Sequence, residues 1–311
     1  MAPSRVWRFV LAMLVSMAAC AEPAEPSTRV SLDLGLGHEA QTSPLFQISP
    51  ESTVLYLPGL QRLQGSHARA QLQGFTDWRG DAGLTVSLSG DATFKRSGDT
   101  PDFDFMSLSM QPGVHVPLGR ANLGAGVNLQ RMDVAGQHFR DVRGLQASWA
   151  LPDGPNLWAI IAETGTYRHS GQLADLDALA SSLVLQRQID HPWSGATGLA
   201  LSMIWGRERN QRGLRELSHR NFLVGATLDG KLGDLFWTLR PTILRSTFDD
   251  SAFASEPARR DRTTLLDLTL EWPLTANQTL RLELNQVRNR SSTHLYDNHY
   301  QQVSVGLHIG L

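Results

Sequence analysis

Hydrophobic and polar residues alternate with a period of two along most of this chain. Between Ala121 and Gln130, the odd positions hold Ala, Leu and Val, whereas the even positions hold Asn, Gly and Gln. This period places the two sets on opposite faces of a β-strand. The same pattern recurs from Val30–Leu36 near the N-terminus to Val303–Leu311 at the C-terminus, and helical spacing is nowhere sustained. The chain is therefore predicted to be all-β.

Short and long connections alternate between the predicted strands. Clusters of Gly, Pro or polar residues, typical of tight turns, are centred near positions 80, 117, 154, 192, 231 and 275. Longer, charge-rich segments lie between them, at 95–102, 133–141, 168–177, 207–218, 249–262 and 289–298. This alternation is typical of a transmembrane antiparallel up-and-down β-barrel with short periplasmic turns and long extracellular loops.

The number of predicted strands is fourteen, with twelve or sixteen as alternatives. The open point is the segment 39–65, because residues 54–57 could form a loop strand or part of the wall. Strands can cross the hydrocarbon core of a membrane only as a closed barrel, because every backbone polar group there needs a hydrogen-bond partner within the protein. Fourteen strands are expected to leave a narrow aqueous passage, because eight fill their own interior and sixteen leave water inside.

Composition agrees with a membrane barrel and excludes other classes. Charged residues make up 19% of the chain, below the roughly 25% of soluble domains. The 28 basic and 30 acidic side chains nearly balance, which argues against a nucleic-acid-binding protein. With 41% hydrophobic residues, the chain also has enough apolar material to bury, so it is not expected to be disordered.

The N-terminus has the pattern of a secretory signal peptide. Arg5 and Arg8 precede an apolar run at 9–18, and small residues follow at 19–21. We therefore expect residues 1–21 to be a signal peptide and residues 22–311 to form the barrel. Cleavage before Cys20, with lipidation of that residue, is the alternative. Cys20 is the single cysteine, so neither a disulfide nor a cysteine-ligated metal site is expected.

Tryptophan positions provide a separate indication of a membrane barrel. Indole rings at the headgroup level form the aromatic girdles of such barrels. Six tryptophans lie in or near the predicted short turns: Trp78, Trp149, Trp158, Trp193, Trp237 and Trp272. A second girdle is predicted near the long connections, from Phe94, Phe139, Tyr167, Trp205 and Phe248.

The polar faces of the strands supply candidate pore-lining residues. If the apolar faces point to lipid, the opposite faces point into the bore. Asp267 is expected to meet Arg281 or Glu283 across the turn at 273–277. These residues could hydrate the pore and stiffen the wall, or select cargo by charge, and their mixed signs predict weak ion preference. The candidates are Asn122, Asn128, Gln130, Arg240, Asp267, Arg281, Glu283 and Asn285, with Gln186 and Gln188 in addition.

One predicted loop is rich in arginine. Arg207, Arg209, Arg212 and Arg215 could bind the phosphates of lipid A, fold inward as a constriction, or remain solvated.

Enzymatic chemistry is not expected. The chain has no G-x-S-x-G and no H-E-x-x-H motif. Ser291, His294, Asp297 and His299 occur close together, but such a set in an external loop is more often solvated surface than a hydrolase site. His294 and His299 lack a defined third metal ligand. We predict no catalytic residues, no metal and no cofactor.

The C-terminal third resembles the barrels of the surface lipoprotein assembly modifier family. The resemblance is carried by residues 259–263, which contain an Arg/Asp pair, by residues 288–297 with Leu295-Tyr296, and by the closing strand. Ser292 stands where the family has Asn. Family members usually carry a helical-repeat domain before the barrel, whereas here Val30 already begins a strand. Polysaccharide exporters share a similar plan.

The resemblance implies a conduit in the Gram-negative outer membrane that assists display of a protein such as a surface lipoprotein. A passive or polysaccharide-export porin is the alternative, and a barrel hydrolase ranks third. The ending Ser304–Leu311 resembles the signal that hands barrels to their assembly machinery, with Ile309 and Leu311 in places usually held by aromatic residues. Expected partners are outer-membrane lipid and lipopolysaccharide, that machinery, and a surface lipoprotein or exported polymer. Both termini are expected in the periplasm.

Overall fold

The computed structural model describes residues 26–311 except 42–44, 47–54, 57–62, 81–82, 99–103, 194, 252 and 254–255. Fourteen long antiparallel strands close into one barrel, which confirms the predicted fold class and strand number. The predicted signal peptide and Cys20 lie outside the described residues. In the described part of the chain, no helix is long and apolar enough to cross a membrane.

The strands are 13 to 17 residues long, apart from the two short strands β2 and β3. Their bounds are β1 Ser27–Gln41, β2 Leu45–Phe46, β3 Leu55–Tyr56, β4 Leu63–Arg79, β5 Thr85–Ser97, β6 Phe105–Leu118, β7 Ala121–Val134, β8 Gln137–Asp153, β9 Asn156–His169, β10 Ala178–Asp190, β11 Ala196–Asn210, β12 His219–Leu232, β13 Leu235–Phe248, β14 Arg260–Pro273, β15 Gln278–Ser291 and β16 Asn298–Gly310. Within the described residues, 3-10 turns lie between strands at Gly171–Leu176 and His294–Tyr296.

Every long strand pairs with its neighbours in chain order, and β1 pairs with β16 to close the barrel. The closing register places Leu34 opposite Leu307 and Leu36 opposite Val305. β2 and β3 pair only with each other, as a two-stranded sheet apart from the barrel. The uncertain segment around residue 55 is therefore a loop hairpin and not part of the wall.

The two ends of the barrel differ in their connections. The short-turn end carries the two ends of the barrel wall, at Ser27 and Gly310, and the tight turns, three of which have only two residues. In those three, the first residue is Gly119, Gly154 or Gly233, with φ near +60°. Only glycine adopts this backbone without strain, which explains its presence in each turn. The opposite end, here named the loop end, carries most of the longer connections.

One predicted long connection is wrong. Residues 133–141 do not form a loop, because β7 and β8 are joined by the two-residue turn Ala135-Gly136. Both residues have positive φ, 52° and 71°, as a type I′ hairpin turn requires. The charges that suggested a loop lie on the strands themselves.

The outer face of the barrel is a band of exposed apolar side chains. Leu36, Leu145 and Val305 are 70%, 62% and 50% exposed, and each has apolar neighbours at the same parity along its strand. Soluble monomers rarely leave a contiguous apolar surface of this extent open to water.

Inside the barrel, burial changes along the axis. On β13, the inward residues Phe248 and Leu244 near the loop end are buried, whereas Arg240 and Phe236 nearer the short turns are exposed. β15 shows the same trend, with Val287 buried and Arg281 accessible. The interior is therefore packed towards the loop end and open towards the short-turn end.

Candidate functional site

The candidate site is a group of charged side chains on the inner face of one half of the barrel. These residues alternate with the apolar outer positions of their strands, so they face inward. Five carboxylates and three guanidinium groups share this surface, which gives an acidic surplus. We name it the lumenal charge cluster: Asp33, Arg69, Asp91, Arg240, Asp267, Glu271, Arg281 and Glu283.

Arg281 is the central cation of this cluster. Its Nε and Nη2 lie 2.8 and 2.7 Å from Glu271 Oε1, and its Nη1 lies 2.7 Å from Asp33 Oδ1. Asp33 also lies 2.8 Å from His308 Nδ1. Arg281 therefore neutralises carboxylates on β14 and β1 at once and ties strands on both sides of the closing seam.

Arg69 extends the cluster across that seam. Its guanidinium lies 3.5 Å from Glu283 on β15 and donates to Gln71 at 2.5 Å, while Gln71 donates to Asp91 at 2.6 Å. Arg69 and Glu283 reach each other although β1 and β16 lie between their strands. Gly35 and Gly306, paired at that point of the wall, leave the interior free of intervening side chains.

The predicted partner of Asp267 is wrong. Asp267 accepts a hydrogen bond from Asn285 and lies opposite Arg240 in the strand register, whereas Arg281 pairs with Glu271. The turn at 274–277 sets this register, which differs by two residues from a pairing with Glu283 and by four from a pairing with Arg281. The pairing changes the partners but leaves the predicted residues on one face.

The inner faces of β7 and β10 carry several amide side chains. Asn122, Asn128 and Gln130 lie on the inner face of β7, where Gln130 donates to Ser107 at 3.2 Å. Gln186 and Gln188 lie at inward positions of β10, and Glu163 of β9 adds an exposed carboxylate. The interior therefore presents amide groups on β7 and β10 in addition to the lumenal charge cluster.

A buried polar group lies above the cluster, towards the loop end. Glu39 is 2% exposed, and its carboxylate accepts from Lys95 at 2.5 Å and from the Tyr300 hydroxyl at 2.9 Å. His67 lies 3.9 Å away and contacts Gln302 at 3.1 Å. These contacts fill the bore beside the seam and contribute to the packing of the loop end.

The motifs behind the family resemblance meet at the loop end. Arg259 is buried between the rings of Phe248 and Tyr296, with its guanidinium carbon 3.5 and 3.8 Å from the ring centres. Burial lowers the pKa of Arg259, and Asp261, 3.3 Å away, opposes that effect. The arginine of one motif thus stacks on the tyrosine of the other and links two loops.

Arg259→Met should destabilise the folded barrel by about 3 kcal/mol, because it leaves the buried Asp261 without its cation. Arg260→Met is the matched control, since Arg260 is exposed, and should change stability by less than about 0.5 kcal/mol. Urea unfolding of the detergent-solubilised protein, followed by tryptophan fluorescence, measures both. Equal midpoints for the two variants would show that the stacked arginine does not hold the loops together.

Three of the four predicted loop arginines are engaged within the protein. Arg207 lies on β11 and donates to Asp249 at 2.9 Å, which holds the pKa of that carboxyl below its usual range. Arg212 pairs with Asp175, and Arg215 donates to the backbone oxygen of Asp249 at 3.4 Å. Arg209 is exposed on β11. These contacts tie neighbouring loops together and do not form an inward constriction.

The predicted tryptophans lie at the short-turn end. Trp78, Trp149, Trp158, Trp237 and Trp272 share the parity of the apolar outer face, and Trp193 is exposed in the turn after β10. Their contact with lipid stays a prediction. For the second girdle, Phe94 and Trp205 are exposed on the outer face, but Phe139 and Phe248 are buried, and Arg140 stacks on Tyr167. The prediction for those three residues is wrong.

The Ser/His/Asp set does not assemble into a nucleophile and base among the described atoms. Asp297 accepts from the Ser291 backbone N–H at 2.7 Å, and the Ser291 hydroxyl accepts from the Thr293 N–H at 3.1 Å. His299 contacts Gln286 at 3.3 Å, and the side chain of His294 lies outside the described residues. Searched over the described residues, no group of three or more His, Cys, Asp or Glu could hold a metal ion.

Sequence reasoning missed half of the lumenal charge cluster. Asp33 and Glu271 alternate with apolar residues already assigned to the outer face, so that rule alone could have identified them. Arg69 lies on β4, whose outward positions near the loop end, Ser66 and Ala68, carry little hydrophobic signal. Asp91 faces inward from β5 and becomes part of the cluster only through Gln71 of β4.

Comparisons with known proteins support the fold. No protein-family model matches the chain, and no curated protein sequence matches it. Among solved structures, an anion-selective porin from Comamonas acidovorans is 10% identical, with a TM-score of 0.50, over 92% of this chain and 100% of its own. OccK9 (OpdG) of Pseudomonas aeruginosa is 10% identical over 92% and 99%, with a TM-score of 0.47. A FadL homologue of Pseudomonas aeruginosa is 11% identical over 92% and 90%, with a TM-score of 0.44.

Proposed function

We propose that this protein is an outer-membrane channel for small polar or charged solutes. The observation that carries the proposal is the closed barrel with an apolar outer face and a polar, charged inner face. Such a barrel is stable only with lipid outside and water inside. The likeness to the anion-selective porin extends to the fold, and a transport role for this chain accords with it.

The proposed orientation places the short-turn end in the periplasm and the loop end at the cell surface. Short periplasmic turns and longer external loops are the rule in such barrels, and both ends of the wall lie at the short-turn end here. The open half of the interior then faces the periplasm, and the packed half faces outside. Solutes would meet the narrowest point near the loop end.

Planar-bilayer recording tests this function. The purified protein, shown to be folded by its compact migration before heating, should produce stepwise conductance. Because the loop-end interior is packed, we expect small steps and not those of a wide pore. Folded protein that gives no steps above the detergent background would overturn the channel proposal.

A second function, assistance in displaying a surface lipoprotein, is favoured by one observation. The two motifs that resemble the surface lipoprotein assembly modifier family are in contact, through Arg259 and Tyr296, and not merely present. A polypeptide could pass only if the packed loop-end interior moved aside.

Protease exposure tests the second function. Co-expression with a candidate surface lipoprotein should make the lipoprotein sensitive to added protease in intact cells. If the lipoprotein is equally protected from protease with and without this gene, the second function is ruled out. Conductance that is insensitive to any protein cargo would instead favour a passive or polysaccharide-passing porin.

A further inference from the structure

Arginines cluster on the outer face of the barrel at the loop end. Arg245, Arg262 and Arg290 are direct cross-strand neighbours in the register of β13, β14 and β15. All three are exposed and have the parity of the apolar outer positions. We name the group the arginine patch and include four more exposed, outward arginines of the adjoining strand ends: Arg209, Arg220, Arg260 and Arg288.

The patch lies directly beyond the apolar band. Arg245 is two residues from Ile243 on β13, and Arg220 is two residues from Phe222 on β12, where both apolar side chains are exposed. Two residues along a strand correspond to about 7 Å. An amphiphile with its chains on the apolar band would therefore place its headgroup at the patch.

The register of the patch is electrostatically unfavourable by itself. Neighbouring strands lie about 4.8 Å apart, and like charges directly opposite each other destabilise a sheet. Among the described residues, no carboxylate forms an ion pair with Arg245, Arg262 or Arg290. Asp249, which lies within electrostatic range of Arg220, is already bound to Arg207.

Outward arginines elsewhere on the barrel have acids beside them. Arg96 lies 3.9 Å from Asp104, Arg131 lies 3.2 Å from Asp133, and Arg143 lies 3.9 Å from Asp141. Arg168 lies opposite Asp141 in the strand register. The absence of such partners is thus a property of the patch and not of exposed arginines in this chain generally. An external anion is the simplest source of the missing negative charge.

We infer that the arginine patch binds the phosphorylated headgroup of a membrane glycolipid, whose acyl chains lie on the apolar band below. The inference rests on the proposed membrane location. Guanidinium groups bind phosphate oxygens through paired N–H donors, and three in register on neighbouring strands span about 10 Å. That span suits a sugar headgroup bearing phosphate monoesters.

Lipid binding to the purified barrel in a non-ionic detergent tests the inference. The probes are bisphosphorylated lipid A, the same lipid after removal of its phosphates, and inorganic phosphate. The variant R245Q/R262Q/R290Q should bind lipid A at least about tenfold more weakly than the wild type. The control R96Q/R131Q/R143Q removes the same charge from balanced positions and should stay within about twofold.

Several results would overturn the inference. These are equal lipid A binding by the patch variant and the wild type, equal affinity for the dephosphorylated lipid, or an equal loss in the control. Competition by millimolar inorganic phosphate would identify a soluble-anion site instead. Arg262→Gln alone, expected to weaken binding about threefold, serves if the triple variant does not fold.

Conductance of the same preparations separates this inference from the proposed function. Lipid A binding that is unchanged in the patch variant, in a protein that conducts, overturns the lipid site and leaves the channel intact. Phosphate-dependent lipid A binding by a barrel that never conducts would overturn the channel proposal and leave the lipid site intact.

Discussion

Gly37→Val should strongly destabilise the closed barrel. A Cβ at Gly37 would lie 2.7 Å from the Val303 carbonyl oxygen on β16 and 2.7 Å from the His67 ring on β4. The Val303 oxygen is backbone and cannot move without disturbing the ladder between β1 and β16, and the His67 ring is fully buried beside Glu39. We expect a cost of about 3 kcal/mol. Electrophoresis of unheated samples equilibrated in increasing urea measures the folded fraction, whose midpoint should fall well below that of the wild type.

Gly74→Val is the matched control for this experiment. Gly74 lies on the outer face of β4, and a Cβ there meets no atom within 4 Å. The Gly74→Val protein should fold normally, because valine adds to the apolar band and has a high β-strand propensity. If both variants fold equally well, the close contact at Gly37 does not limit closure of the barrel.

Arg281→Gln should shift the channel towards cations. Arg281 contacts Glu271 and Asp33 and lies 3.9 Å from Glu283, so its loss leaves three carboxylates of the lumenal charge cluster without their shared cation. Fixed charge in a low-dielectric passage concentrates the opposite ion. The wild type, with its slight acidic surplus, should be weakly cation-selective. The variant should have a cation-to-anion permeability ratio about threefold higher, measured from the reversal potential in a KCl gradient.

Arg187→Gln controls for the loss of one positive charge. Arg187 contacts Asp153 at 2.9 Å and stacks over Trp158 at 4.6 Å on the outer face, away from the passage. Its reversal potential should match that of the wild type. An unchanged potential in Arg281→Gln would show that ions do not pass along the lumenal charge cluster.

Period-two alternation predicted the strands, and the alternation of short and long connections favoured a membrane barrel over a soluble sheet, whose strands also have one apolar and one polar face. The period-two pattern worked best on the halves of β14 and β15 near the short turns, where leucine fills consecutive outward positions: Leu266, Leu268 and Leu270, and Leu280, Leu282 and Leu284. It failed where strands rise beyond the apolar band. There, outward positions hold charged residues, so the start of β8, with His138 and Asp141, resembled a loop.

Alternation predicts a face but not a partner. Arg281 and Asp33 are separated by 248 residues, and their contact depends on closure of the seam between β1 and β16. The pairing of Asp267 depends on which residues of the segment 274–277 form the turn before β15. Amino-acid composition does not specify this. Packing of the loop-end interior likewise follows from closure, because Leu244 and Val287 are unremarkable inward residues until their strands curve together.

The outward arginines show a further limit. The arginine-rich run 207–215 stood out in the sequence, but its members Arg207 and Arg212 are paired with acids. Arg245, Arg262 and Arg290 are isolated in the sequence, and only the register of three strands brings them together.

The central claim is that apolar stripes contact lipid and polar stripes contact water. Because Cys20 lies in the predicted signal peptide, single cysteines can be introduced into an otherwise cysteine-free mature chain along β14 at Leu266, Asp267, Leu268, Thr269 and Leu270. Each cysteine carries a spin label in the liposome-reconstituted protein. The collision rate of the label with oxygen, which dissolves in lipid, is compared with its collision rate with a water-soluble nickel chelate. The leucine positions should favour oxygen and Asp267 and Thr269 should favour nickel. Accessibility without this period of two, or with the two sets reversed, would contradict the account.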